Sequence, residues 1–285
     1  MANLKDIRDR IKSIRNIQQV TKAMKMVAAA KLRRAQERME QARPYEERLS
    51  QVIHSLLPDV DRELLPLLDV REVKRVCMVL VTSDRGLAGS FNSSIIRRAE
   101  DEITAFGREA TDLICIGRRG RDYFRKRDYN VVSDYADFWN ELSFTHAMEF
   151  GEDVIEMFVS GKVDEVHVIF NWFKSVGTQE IHVERLLPLV YEGEEQTLSE
   201  RLYEPSKDEL VRSLIPRHMN VEMWKYLLES YASEQAARMV AMDNATENAG
   251  ELIHDLRLEF NKLRQAAITK EVLEIISGAE ALRVQ

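Results

Sequence analysis

Residues that break helices are rare at both ends of this chain and crowded in its middle. The 285 residues include 11 Gly and 6 Pro, and neither type occurs before Pro44. After Pro216 only Gly250 and Gly278 occur, whereas nine glycines lie between residues 86 and 193. Because Gly and Pro disfavour a helix interior more than any other residues, this distribution predicts two long terminal helices around a turn-rich body.

The N-terminal segment has the apolar spacing of a helix that packs against another helix. Steps of three and four residues, typical of a coiled-coil seam, separate Leu4, Ile7, Ile11 and Ile14. A second apolar line in a different frame comprises Ile17, Val20, Met24 and Val27. A seam that changes frame presents apolar side chains on more than one side, so we expect this helix to contact several partners. It should run to about residue 57, with a kink or a restart at Pro44.

The C-terminal segment should form a longer helix from about Ser206, with a kink at Pro216. Its face carries alanines at intervals of four, namely Ala237, Ala241, Ala245 and Ala249. Such a smooth ridge allows close approach of a second helix, and residues 28–30 of the N-terminal helix, all alanine, are its expected complement. A polar stretch at residues 230–234 interrupts the apolar face. The two ends are therefore predicted to pair as an antiparallel coiled coil.

The middle of the chain alternates between strand-like and helix-like segments. Strands are expected at residues 73–83, 112–117, 130–133, 163–172 and 179–187, and helices at 91–106, 118–126 and 144–160. Alternation of this kind with continuous apolar strands predicts a small, mostly parallel, doubly wound sheet. A polar, acidic connector follows at residues 191–209.

The sequence offers no pattern for catalysis, a cofactor or a metal. Neither G-x-G-x-x-G nor a P-loop occurs, so the turns near Gly86 and Gly117 are interpreted as structural. Cys77 and Cys115 lie in apolar strands and are predicted to be buried thiols. The six histidines lack metal-ligand spacing, and His167 and His182 are expected to face each other as a cross-strand core pair.

Charge is distributed unevenly along a chain whose formal net charge is −7. Residues 1–34 hold ten Lys or Arg and two acids, so the remainder is acidic. A basic arm implies an acidic partner, which leaves open nucleic acid, anionic lipid, or carboxylates on another protein. The absence of Phe, Trp and Tyr from residues 1–44 disfavours nucleic acid. We therefore favour a mechanical or scaffolding protein over a nucleic-acid-binding protein, with a Rossmann-like enzyme as a distant third.

Neither a membrane span nor a secretion signal is expected. The longest wholly apolar run, residues 76–81, is far shorter than the roughly 20 residues needed to cross a bilayer. The first 15 residues are charged throughout and lack an apolar core. These features favour a soluble intracellular protein.

Four motifs, in order along the chain, resemble those of the gamma-subunit family of ATP synthase. They are TKAMKMVAAAK at Thr21–Lys31, SDRGLAG at Ser83–Gly89, ASEQAARMVAM at Ala232–Met242, and ITKEVLEIISGA at Ile268–Ala279. The resemblance covers essentially the whole chain. Two departures are Ala88, where the family often has Cys, and the lack of a regulatory insert with paired cysteines, so thiol control is not expected.

The resemblance implies an α/β fold class: a long antiparallel coiled coil of the N- and C-terminal helices plus a Rossmann-like α/β body. The implied segments are 1–57 and 206–285 for the coiled-coil shaft and 70–195 for the body. In this family the shaft penetrates a hexamer of alternating alpha and beta subunits, and the body contacts the epsilon subunit and the c-subunit ring. The chain is then a non-catalytic rotor that couples ion translocation to ATP synthesis or hydrolysis. It would lie at the cytoplasmic face of the cell membrane, attached only through the complex and without nucleic acid.

The resemblance also implies which residues contact partners. Those facing the alpha/beta hexamer are Met24, Lys25, Arg85, Ala88, Arg238, Gln265, Ile268, Thr269, Glu271, Val272, Ile275 and Ile276. Among these, the isoleucines and Val272 would form an apolar tip that turns in a sleeve of alpha and beta side chains. Tyr203 and Glu204 would face the c ring or epsilon. The competing interpretation is that these are ordinary seam, turn and solvated positions.

Overall fold

The computed structural model describes residues 4–56, 65–189, 204 and 206–283. Its helices are α1 (Leu4–Leu56), α2 (Phe91–Phe106), α3 (Arg118–Arg125), α4 (Phe144–Val159) and α5 (Lys207–Arg283). Its strands are β1 (Val76–Val81), β2 (Thr111–Ile116), β3 (Val131–Tyr135), β4 (Glu165–Ser175) and β5 (Thr178–Leu187). Short 3-10 helices lie at Pro66–Leu68, Arg108–Ala110 and Trp139–Glu141. The chain divides into two compact units, Ala28–Arg238 and the terminal segments Met1–Val27 with Met239–Gln285.

The two long terminal helices are confirmed, and both continue through their prolines. Pro44 lies inside α1 and Pro216 lies inside α5, so the alternative of a restart at Pro44 is wrong. A proline in a helix interior removes one hydrogen bond and costs about 3 kcal/mol. Apolar side chains on both sides of Pro44, from Met39 to Leu49, pack against the core, and this burial offsets the loss.

The body contains the predicted mostly parallel sheet. Its five strands have the order β3-β2-β1-β4-β5, and only the β4–β5 pair is antiparallel. Strands β1 and β2 are buried at every position because helices cover both faces. One face packs on α2 and α3, and the other packs on α4 and on the parts of α1 and α5 that belong to this unit. The thiols of Cys77 and Cys115 are buried, as predicted.

The expected histidine pair across β4 and β5 does not form. His167 lies opposite Arg185, and His182 lies opposite Phe170. The tight turn between Ser175 and Thr178 fixes this register. Because His182 of β5 lies opposite Phe170, it is offset from His167 by three residues along β4. His167 instead contacts the Glu165 carboxylate at 2.9 Å.

The polar stretch of α5 is buried against the end of β4. Ser230 Oγ accepts from the N–H of Asn171 at 3.2 Å, and a Glu229 carboxylate oxygen accepts from the N–H of Phe173 at 2.9 Å. Strand β1 pairs with β4 only as far as Ile169, so these later N–H groups lack a strand partner on that side. The side chains of α5 satisfy them, which explains why polar residues occupy a buried helix face.

Asp164 ties the entrance of β4 to the entrance of β1. One of its carboxylate oxygens accepts from the backbone N–H groups of Lys74 at 2.8 Å and Arg75 at 2.9 Å. Burial alone would raise the pKa of Asp164, but these two donors and the cations nearby outweigh burial and lower the pKa below its ordinary value.

We expect Asp164→Asn to destabilise the chain by about 1–3 kcal/mol at neutral pH, because it removes a charged acceptor from two N–H groups. A lowered folded-state pKa contributes stability above the unfolded value, and that contribution is lost as pH falls. The gap between wild type and variant in urea unfolding should therefore shrink below about pH 4. A gap that stays constant from neutral to acidic pH would contradict this role of the ionised carboxylate.

The terminal unit is an antiparallel helix pair. Its buried apolar cluster comprises Ile7, Ile14, Ala249, Ile253 and Leu256. As residue numbers rise on α1 they fall on α5: Arg8 lies over the ring of Phe260, and Lys25 pairs with Asp243 at 2.5 Å. The predicted pairing of the two ends is therefore confirmed.

The alanine ridge is less buried than its spacing suggests. Of its four positions only Ala249 is buried, whereas Ala237, Ala241 and Ala245 are half-buried. Among the α5 side chains that the structure describes, the alanines with no exposed surface are Ala232 and Ala236. The helix face that packs most closely therefore lies one position before the predicted ridge.

Gly250 faces the side chain of Gln18 in the terminal unit. An added Cβ would lie 3.1 Å from Gln18 Nε2, the far end of a flexible side chain. Alanine is favoured over glycine in a helix by about 1 kcal/mol, so Gly250→Ala should stabilise the chain by up to this amount. Thermal unfolding followed by circular dichroism checks the prediction. A lower midpoint than wild type would mean that Gln18 cannot move aside.

Candidate partner-binding surfaces

The second apolar line of α1 lies on the outside of the terminal unit. Ile17, Val20 and Val27 are each more than half exposed, and so is Met26, which sequence spacing did not single out. Met24 is half-buried. Lys25 is held by Asp243 of α5. The change of seam frame therefore has the predicted result: this unit has apolar side chains both between its helices and on its surface.

The end of α5 carries a second exposed apolar surface. Its exposed aliphatic side chains are Ile268, Val272, Leu273, Ile275 and Ile276. Leu273 was not among the predicted contacts. The predicted polar contacts Gln265, Thr269 and Glu271 are exposed as well, and Thr269 Oγ1 donates to the carbonyl of Gln265 at 2.9 Å. Within the described part of the chain, no buried cluster includes a residue beyond Leu263.

The turn between β1 and α2, residues 83–89, is held by several hydrogen bonds. Ser83 Oγ donates to the carbonyl of Arg85 at 2.7 Å, and Asn92 Oδ1 accepts from the N–H of Ser83 at 3.0 Å. The Asp84 carboxylate accepts from the N–H groups of Arg118 at 2.9 Å and Asp137 at 2.8 Å. These contacts fix the conformation of the turn.

The turn exposes a different set of side chains from the predicted one. Arg85 is exposed, as a contact residue should be, but Ala88 is only 2% exposed and faces the chain interior. Leu87 is 67% exposed and has a φ of 65°, a region that non-glycine residues rarely adopt. Sequence reasoning missed Leu87, because the two neighbouring glycines indicate a tight turn but not which residue takes the positive φ.

The side chain of Arg238 is hydrogen-bonded to other residues of the Ala28–Arg238 unit. Its guanidinium donates to Glu234 Oε1 at 2.6 Å and to the carbonyl of Gly86 at 3.1 Å. Burial raises the pKa of Glu234 above its ordinary value, more than Arg238 and Lys31 lower it. Burial likewise lowers the pKa of Lys31 despite the nearby Glu234. Glu234, which the sequence placed in a polar stretch but not among the predicted contacts, thus joins α5 to the turn through Arg238.

The remaining predicted contacts are in the connector before α5. Glu204 is exposed, and Tyr203 lies outside the described residues.

In the described ranges, no group of three or more His, Cys, Asp or Glu residues is placed to hold a metal ion. None of the described helices combines the length and apolar character of a membrane span.

Paired terminal helices with exposed apolar side chains, accompanied by an α/β body, define a protein that binds other subunits. The family model for ATP synthase matches residues 3–282. A protein of Chlorobaculum parvum named ATP synthase gamma chain is 50% identical over 291 residues, covering 99% of this chain and 100% of that protein. Its namesake in Chloroherpeton thalassium is 48% identical over 300 residues, covering 99% of each chain. The chain therefore belongs to the ATP synthase gamma-chain family, and its role is that of the gamma subunit.

Solved structures share this fold. A chain of the Tetrahymena thermophila mitochondrial ATP synthase, in a central stalk and c-ring structure, has a TM-score of 0.63 and 26% identity, covering 79% of this chain and 99% of its own. A chain of the Euglena gracilis mitochondrial ATP synthase, in an OSCP/F1/c-ring structure, has a TM-score of 0.70 and 21% identity, covering 98% and 94%. The predicted fold class is confirmed.

Proposed function

We propose that this chain is the rotating shaft of an ATP synthase and catalyses no reaction itself. Residues 1–57 and 206–285 form the shaft inside the hexamer of alpha and beta subunits, and residues 70–195 form the body that contacts epsilon and the c ring. The exposed apolar surface of the terminal unit carries the proposal. Its helices bury one apolar seam between themselves and leave Ile17, Val20 and Val27 for another protein.

The shaft acts by contacting the three catalytic beta subunits differently at each angle. A rotor shifts a site between conformations only by as much as its contacts differ between them. The exposed aliphatic residues from Ile268 to Ile276 suit a bearing, because apolar contacts are non-directional and do not fix one angle.

The partner contacts proposed from family resemblance fall into three groups. In the first group, Met24, Lys25, Arg85 and Arg238 contact the hexamer, and Ala88, which is only 2% exposed, serves by holding the turn that presents Arg85. In the second group, the residues at the tip contact the hexamer, namely Gln265, Ile268, Thr269, Glu271, Val272, Ile275 and Ile276. Tyr203 and Glu204 serve the c ring or epsilon. In this proposal the basic N-terminal arm binds protein carboxylates and not nucleic acid, and the complex holds the chain at the cytoplasmic face of the cell membrane.

A rotation experiment tests the proposal. Cys77 and Cys115 are buried, and burial raises the pKa of Cys115 to about 12 and that of Cys77 further still, so thiol reagents should spare both. Gly177, in the turn before β5, has open space around it, and Gly177→Cys supplies one reactive thiol for a bead. With the hexamer fixed to a surface, ATP should drive the bead in one direction. ATP hydrolysis by the labelled complex without rotation would contradict the proposal, as would recovery of the chain without alpha and beta subunits.

A further inference from the structure

The turn at residues 83–89 presents an apolar side chain at a conformational cost. Leu87 is 67% exposed, and its φ of 65° lies in the left-handed region. That region costs a non-glycine residue about 1–2 kcal/mol. Strain of this kind persists only where the surroundings fix the backbone, and it clusters at functional positions.

The surroundings of Leu87 do fix the backbone on both sides. Before it, the carbonyl of Arg85 accepts from Ser83 Oγ, and the carbonyl of Gly86 accepts from Arg238. After it, the carbonyl of Ala88 accepts from the N–H of Phe91 at 3.2 Å, and the Ala88 side chain is buried. Leu87 therefore lies between two residues, Gly86 and Ala88, whose backbone carbonyls are both held by hydrogen bonds.

Arg238 provides the anchor that comes from α5. Its side chain is 12% exposed and that of Glu234 is 7% exposed, so their pairing is largely shielded from water. Gln235 Nε2 donates to the other carboxylate oxygen of Glu234 at 3.0 Å, which fixes the carboxylate in turn. The guanidinium is thus aimed at the carbonyl of Gly86 by a group that cannot easily rotate.

We propose that Leu87 is a further partner-contacting residue, which inserts into an apolar recess on a subunit of the surrounding hexamer, and that Arg238 is the positioning residue that presents it. The inference rests on the proposed function. Leu87 has a strained backbone and an exposed apolar side chain, and hydrogen bonds hold it in place. These properties suit a residue that must contact its partner in a defined orientation as the shaft turns. The neighbouring exposed Arg85 supplies a charge at the edge of this contact.

The test uses the complete ATP synthase in vesicles, measuring protons pumped per ATP hydrolysed. Leu87→Ala should lower this ratio about fivefold, the lower end of the range for coupling between sites, while Leu87→Met should retain it. Val70→Ala is the matched control, because Val70 is an equally exposed aliphatic residue (70%) outside the turn, and it should leave the ratio unchanged. A wild-type ratio in Leu87→Ala overturns the role of Leu87.

Arg238→Lys separates positioning from folding. Arg238 Nη2 donates to both Glu234 Oε1 and the carbonyl of Gly86. Lysine keeps a positive charge beside Glu234, but its side chain is shorter and cannot place a donor where Nη2 lies. The ratio should therefore fall as in Leu87→Ala while the thermal midpoint of the complex stays near wild type. If Arg238 acts through Leu87, the double variant should be no worse than Leu87→Ala alone. A double variant with the product of the two losses overturns the positioning role. A wild-type complex that pumps protons without rotation of this chain would instead contradict the proposed function itself.

Discussion

Gly117→Ala should destabilise the body by at least about 4 kcal/mol. Single substitutions cause a loss of this size only rarely, through a few mechanisms such as a severe steric clash. An alanine Cβ would lie 2.1 Å from the carbonyl oxygen of Thr82, and the φ of Gly117 is 100°. The obstructing atoms belong to the backbone of Thr82, directly after β1. Backbone atoms cannot rotate aside as the end of a side chain can. The N–H of Gly117 also donates to the carbonyl of Tyr135 at 2.7 Å, so the residue cannot shift without breaking a contact to β3.

Urea unfolding of the full chain measures this effect, and Gly161→Ala is its control. Gly161 also has a positive φ, 72°, but no atom lies within 4 Å of its added Cβ. It should therefore cost only the backbone strain, about 1–2 kcal/mol. Equal losses for the two variants would show that φ alone matters at Gly117 and that β2 can move away from Thr82.

Glu234→Ala should be the second severe change, with a loss of about 3–5 kcal/mol. Removing the carboxylate leaves the Arg238 guanidinium buried without its counter-charge. It also leaves Gln235 Nε2 without its acceptor. The destabilisation should appear as a lower urea midpoint of the full chain.

An exposed pair with the same spacing provides the control. Arg33 and Glu37 also lie four residues apart on a helix, but their side chains are 82% and 54% exposed. Glu37→Ala should cost less than about 1 kcal/mol, because exposed ion pairs contribute little. Replacing both Glu234 and Arg238 with apolar residues of similar volume should recover most of the loss. A double variant as unstable as Glu234→Ala would mean that the bond to Gly86, not the buried charge, sets the cost.

Periodicity and helix breakers predicted the elements of the body closely. The predicted bounds of α2 are those observed, because its apolar positions repeat at helical spacing and Gly107 ends it with a φ of 98°. The parallel strands followed from continuous apolar runs such as residues 76–81. These signals are local in sequence, so one sequence suffices to detect them.

The errors concern features that depend on distant parts of the chain. The register of His167 and His182 depends on a turn and on register shifts within β4 and β5. The burial of Ser230 and Glu234 depends on where β1 ends beside β4 and where the turn after β1 lies. The positive φ of Leu87 depends on hydrogen bonds from Asn92 and Arg238. Local spacing contains none of this information.

The exposed isoleucines at the end of α5 also govern how the subunit can be made. A copy without its partners presents Ile268, Ile275 and Ile276 to water, together with Ile17 and Val20 near the other end of the chain. Apolar surface of this kind drives association with any available apolar surface, including another copy. Synthesis of the chain in excess of the hexamer should therefore yield aggregates, and balanced production of the subunits becomes a condition of solubility as well as of assembly.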